Sequence, residues 1–93
     1  MALLNEEEIT ESLGAIDSGW ARQGEAIVKT FTLDDFVGAV GFVNSLVEPA
    51  ESLAHHPDIS ISWNKVEVEI STHSEGGLTA ADFELAGKID ALG

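Results

Sequence analysis

The stretch ESLAHHPDISISWNKVEVEISTH, residues 51–73, changes from a helical period to an alternating one. Glu51 and His55 stand one helical turn apart, and Pro57 then closes off the helical spacing. From Asp58 to Trp63, Ile59, Ile61 and Trp63 alternate with Ser60 and Ser62. After Asn64 the alternation resumes, with Val66, Val68, Ile70 and Thr72 on one side and Glu67, Glu69, Ser71 and His73 on the other. Alternation of this kind marks half-buried strands, so the segment predicts a helix end followed by a β-hairpin. The parity of Trp63 with Ile59 and Ile61 points to a packed side chain.

Upstream, Phe36, Ala39, Val40, Val43, Leu46, Val47, Ala50 and Leu53 form one long apolar stripe at helical spacing. Thr32-Leu33-Asp34-Asp35 reads as the start of that helix, with an acid in its first turn. Pro49 lies inside the stripe and predicts a kink or break near Glu48, since proline lacks the N–H and crowds the preceding turn. Before it, Trp20–Arg22 and Glu25–Thr32 read as two strands joined by a tight turn at Gln23-Gly24. Asn5 with Glu8 three residues later has capping-box spacing, and Ile9, Leu13 and Ile16 then predict a short helix over 6–16. Downstream, Ser74-Glu75-Gly76-Gly77 reads as a loop. Thr79 with Asp82 opens a last helix that carries Phe83, Ala86, Ile89 and Leu92 on one face. The order helix, two strands, helix, two strands, helix predicts an α+β fold, αββαββα. Its four-stranded antiparallel sheet is covered on one face by three helices.

The chain has 93 residues, which fits a single domain over 1–93. A hydrophobic fraction of 44% supports a packed core, and the small size leaves apolar surface that favours self-association. With no cysteine there is no disulfide framework, thiolate metal site or cysteine nucleophile. Four Lys+Arg against 17 Asp+Glu give a net charge of −13, spread along the chain rather than gathered in a tail. Arg22, Lys29, Lys65 and Lys88 form no basic stripe, so a nucleic-acid partner is not expected. No apolar run spans a bilayer, and Met1-Ala2-Leu3-Leu4 runs directly into acids, unlike a signal peptide. The expectation is a soluble cytoplasmic protein whose acidic surface resembles those adapted to high salt.

The chemistry concentrates in His55, His56 and His73, whose side chains exchange protons near neutrality. The plain alternative is a histidine pair capping the helix C-terminus. A metal site from these histidines and Glu51 is disfavoured, because adjacent histidines point apart and no HExxH-like spacing exists. Glu51 lies one turn before His55 and can either orient an imidazole or sit solvated on the helix. Asp82 has a sufficient explanation as the capping-box acid.

Glu51-x3-His55-His56-Pro57-x5-Trp63-x9-His73-x8-Asp82 resembles the signature of the pterin-4a-carbinolamine dehydratases. Gly19-Trp20, the Phe31 strand, Phe36-x2-Ala39-x2-Phe42 and Asn64-Lys65-Val66 are similar to that family in order and spacing, over roughly residues 17–90. The resemblance implies the αββαββα fold and a homodimer or homotetramer. It implies dehydration of 4a-hydroxytetrahydropterin to quinonoid dihydropterin, recycling tetrahydrobiopterin, with no metal or organic cofactor. His55, His56 and His73 would be the catalytic set, with His55 and His73 as the proton-transfer pair and His56 positioning the pterin. Glu51, Trp63, Ser71, Thr72 and Asp82 are candidate substrate-binding residues. Ile59 stands where many relatives carry a bulky aromatic, and Pro49 interrupts the helix that presents Glu51, His55 and His56. Members of the family also act as dimerisation partners of a transcription factor, and a further alternative is a different, molybdopterin-related pterin.

Overall fold

The computed structural model describes residues 2–92; Met1 and Gly93 lie outside the described residues. The elements are α1 (Glu6–Gly14), β1 (Ala21–Gln23), β2 (Ala26–Thr32), α2 (Phe36–Ser45), α3 (Val47–Leu53), β3 (Asp58–Ser62), β4 (Lys65–Ile70) and α4 (Ala80–Asp90), with a 3-10 turn at His73–Glu75. This is the expected αββαββα order, with the middle helix in two pieces. The break falls at Leu46, slightly earlier than expected. Pro49 offers no N–H to the Ser45 carbonyl four residues back and crowds it, so the ladder parts there and Pro49 sits in the first turn of α3.

The strands pair antiparallel in the order β1-β2-β4-β3. The first hairpin turns at Gly24-Glu25, one residue later than the predicted Gln23-Gly24, because Gln23 pairs with Ala26. Gly24 takes φ +60°, which a glycine adopts at no steric cost. Thr32 belongs to β2, and Asp35 caps α2 instead, accepting the Gly38 N–H at 2.8 Å. Cross-strand partners share a face, so Ile27, Phe31, Val66, Val68 and Ile70 all point toward the helices. The opposite face carries Val28, Thr30, Lys65, Glu67, Glu69, Ser60 and Ser62.

Ile27, Val66, Val68, Ile70, Leu85 and Ala86 are fully buried, with Leu46, Leu78 and Ile89 beside them. Each large one contributes about 1.5–3 kcal/mol through burial. The helical stripe expected to be buried is only half so. Ala39, Leu46 and Ala50 are covered, while Phe36 (54% exposed), Val40 and Val47 face outward with Val37. The break at Leu46 ends the common phase, and Phe42 takes the inward place by stacking on Phe31 at 4.6 Å.

The packed reading of Trp63 is corrected. Ile59 and Ile61 do share the helix-side face with Val68 and Val66. However, β3 is the edge strand and every residue in it is exposed. Trp63 lies beyond it in the two-residue turn, at φ +53° and 67% exposed. Leu92, expected on the buried face of α4, lies past the helix end and is exposed.

Candidate active site

Ala54 ends α3 in the left-handed region (φ 51°, ψ 41°), and the His55 N–H returns to the Ala50 carbonyl at 3.0 Å. That reversal sends the two adjacent histidines to different partners. Nε2 of His55 lies 2.6 Å from Oδ1 of Asp82 on α4, and its side chain is 14% exposed. His56 turns outward, its Nε2 2.5 Å from Oε2 of Glu51, with both side chains largely in solvent.

Asp82 is completely buried. A buried carboxylate needs donors, and Asp82 has them. The Thr79 N–H donates to Oδ2 at 2.7 Å, which is the expected capping box, and the Thr72 hydroxyl donates to the same oxygen at 2.9 Å. Thr72 and Thr79 also share a hydrogen bond between hydroxyls at 2.9 Å. Thr72 is the last inward residue after β4, and His73 follows it in the 3-10 turn rather than ending the strand. His73 Nε2 stands 3.4 Å from Oδ2 of Asp58, an exposed pair. Each of the three imidazoles therefore faces one carboxylate.

The end of α3, the start of β3, the segment after β4 and the start of α4 thus meet in one place. They bring together His55, His56, His73, Glu51, Thr72 and Asp82. Thr72 and Asp82 stand behind His55 with their polar atoms turned inward. Two candidates lie elsewhere. The Ser71 hydroxyl donates to the Glu25 carbonyl at 2.8 Å, beside the first hairpin turn. Trp63 sits at the far end of β3, roughly 15 Å along the strand from Asp58. Asp58 and Thr79 join the site although the sequence marks them only as a strand start and a helix cap. The pairing of Asp58 depends on strand register, whereas the place of Thr79 three residues before Asp82 was already visible as a cap.

An apolar groove of about 180 Å³ opens on the His56 side, lined by Val43, Leu46, Val47, Ala50, Pro57 and Ile59 with Glu51 and His56 at its polar edge. A hollow of about 290 Å³ near Lys65 and Glu67 holds no imidazole. Among the described residues no group of three His, Asp or Glu is placed to hold a metal ion, and no helix is long and apolar enough to cross a membrane.

The sequence model of the family described as Pterin 4 alpha carbinolamine dehydratase matches residues 2–92. A provisionally named pterin-4-alpha-carbinolamine dehydratase from Roseiflexus castenholzii is 52% identical over 91 residues, covering 98% of this chain and 97% of the relative. One from Sulfurisphaera tokodaii, also provisionally named, is 48% identical over 92 residues, 99% of this chain and 98% of its own. A crystal structure described as a transcriptional coactivator/pterin dehydratase from Brucella melitensis superposes with TM-score 0.91 at 40% identity, covering 98% of both chains. A pterin dehydratase-like RuBisCO assembly factor of the alpha-carboxysome shares the fold, with TM-score 0.64 at 20% identity over 78% of this chain and 84% of its own. The chain belongs to the pterin 4 alpha carbinolamine dehydratase family.

Proposed function

We propose that this chain forms a single dehydratase-like domain over residues 1–93, which removes water from 4a-hydroxytetrahydropterin to give quinonoid dihydropterin in tetrahydrobiopterin recycling. The observation that carries this reading is the buried Asp82 carboxylate set 2.6 Å behind His55, beside two further carboxylate-paired histidines. Paired titratable groups suit a reaction that both gives and takes a proton. One imidazole accepts the proton of a pterin ring nitrogen, and that N–H electron pair becomes the new bond to C4a. The C4a–O bond breaks with its electrons on oxygen, and a second, protonated imidazole supplies the proton that lets it leave as water. His55 and His73 carry these transfers, each worth roughly 10²–10⁴-fold. His56, at the polar edge of the groove, positions the ring with Glu51 behind it.

Self-association accompanies this reading, as a homodimer or homotetramer. Phe36 to Val47 contains no charged residue in a chain of net charge −13, and Phe36, Val37 and Val47 are each more than half exposed. An uncharged apolar face is where two such acidic chains approach at least cost. A cytoplasmic location and a surface adapted to salt complete the proposal.

The test is a hydroxylase-coupled assay at high salt, with and without the protein. Acceleration that drops in His73→Ala supports the reading, and equal turnover in His73→Ala and the parent removes His73 from the pair. A second reading, a coactivator-type binding module, is favoured by the description of the Brucella relative. Partner binding retained by a triple-histidine variant, with no dehydration by the parent, would select it.

A further inference from the structure

We infer that Thr72 is a positioning residue for His55, acting through Asp82 to hold the imidazole in a single tautomer with Nδ1 as the proton acceptor. The kinetic consequence rests on the dehydratase reading above; the geometry does not.

The two oxygens of Asp82 are divided. Oδ2 takes the Thr79 N–H at 2.7 Å and the Thr72 hydroxyl at 2.9 Å, and Oδ1 faces His55 Nε2 at 2.6 Å. A carboxylate only accepts, so the proton in the His55 bond sits on Nε2 and the lone pair of the neutral ring on Nδ1. Among the described residues Nδ1 of His55 has no hydrogen bond, yet no buried side-chain nitrogen or oxygen lacks a partner. Nδ1 therefore opens to solvent, on the side where a ligand can reach it.

The hydroxyls give the chain of bonds one direction. Thr72 has a single proton and commits it to Asp82, so in the 2.9 Å contact between the two threonines the Thr79 hydroxyl is the donor. Thr79 donates to Thr72, Thr72 donates to Asp82, and His55 donates to Asp82 from the other side. The Thr72 hydroxyl, by donating to Oδ2, opposes the carboxylate turning that oxygen toward His55. Valine has the same shape as threonine but no proton to give. In Thr72→Val the carboxylate keeps the Thr79 N–H on Oδ2 but loses the hydroxyl beside it, and the imidazole gains freedom to flip and to change tautomer.

The experiment is ¹⁵N NMR of the labelled imidazoles in the parent, Thr72→Val, Thr72→Ser and Thr72→Ala proteins, without any pterin, followed by kcat and KM. The parent is expected to show the neutral His55 ring protonated on Nε2 alone. Thr72→Val should show averaged Nδ1 and Nε2 signals and a kcat lower by about tenfold or more, with KM changed less than about twofold. Thr72→Ser should restore both, which a merely structural role of the residue would not require. If Thr72→Val does not fold, Thr72→Ala carries the same expectation. A parent ring protonated on Nδ1, or folded hydroxyl-less variants with parental signals and kcat, overturns the inference. If no protein dehydrates pterin, the activity reading has failed, and the NMR signals decide the positioning role by themselves.

Discussion

Asp82 and His55 are 27 residues apart in sequence and 2.6 Å apart in space, and Asp82 exposes nothing to solvent. A buried carboxylate behind an imidazole fixes the orientation of the ring and accepts its Nε2 proton. Asp82→Asn keeps the shape and, with its NH₂ turned to the ring, reverses the hydrogen bond at Nε2. We expect kcat to fall on the order of 10²–10³-fold, with pterin affinity close to parental. Steady-state kinetics alongside circular dichroism checks it; a parental kcat in a folded variant contradicts it.

Lys29 ties β2 to α4 and to the turn after α1. It bonds Asp17 and Asp90 at 2.8 Å each and lies over the Phe31 ring at 4.8 Å. The hydrogen bond from Lys29 holds the Asp17 carboxyl below its ordinary range, with the Gly19 N–H and the lysine charge adding to it. Burial alone would lower the Lys29 pKa, but its bonds to Asp17 and Asp90 outweigh that and raise it. A depressed acid contributes stability above its ordinary range and loses it as pH falls through the folded value. A raised lysine contributes below its ordinary range and loses it as pH climbs through the folded value. Lys29→Met should therefore lower Tm at neutral pH and flatten the acid limb of the stability curve. Thermal melts across pH check both.

Local signals were legible in the sequence and sheet position was not. Asn5–Glu8 and Thr79–Asp82 sit three residues apart, and both form the bonds that their spacing predicts. The inward parity of Val66, Val68 and Ile70 holds because β4 lies between two neighbours under the helices. The same parity failed for burial at Trp63, since alternation does not reveal that β3 is an edge strand. The break at Leu46 needed the Ser45 carbonyl to be considered, not Pro49 alone. The pairing of His73 with Asp58 depends on a strand end meeting a 3-10 turn, which no local pattern encodes.

Val37 is 78% exposed on the uncharged face of α2. Val37→Glu touches no core contact, so folding should change by less than about 0.5 kcal/mol. Sedimentation should shift from oligomer to monomer. A parent that already sediments as a monomer removes the proposed association.

With a net charge of −13 and ion pairs centred on Arg22 and Lys29, the surface acids repel one another. Molar salt should screen this and raise Tm by more than about 5 °C over dilute buffer. An unchanged Tm would count against adaptation to salt.

The most direct measurement is the rate of 4a-hydroxytetrahydropterin dehydration by the parent and by His55→Ala, both confirmed as folded. The account predicts clear acceleration by the parent and a loss of about 10²-fold or more in the variant. A parent that does not accelerate the reaction, or a variant as fast as the parent, would contradict it.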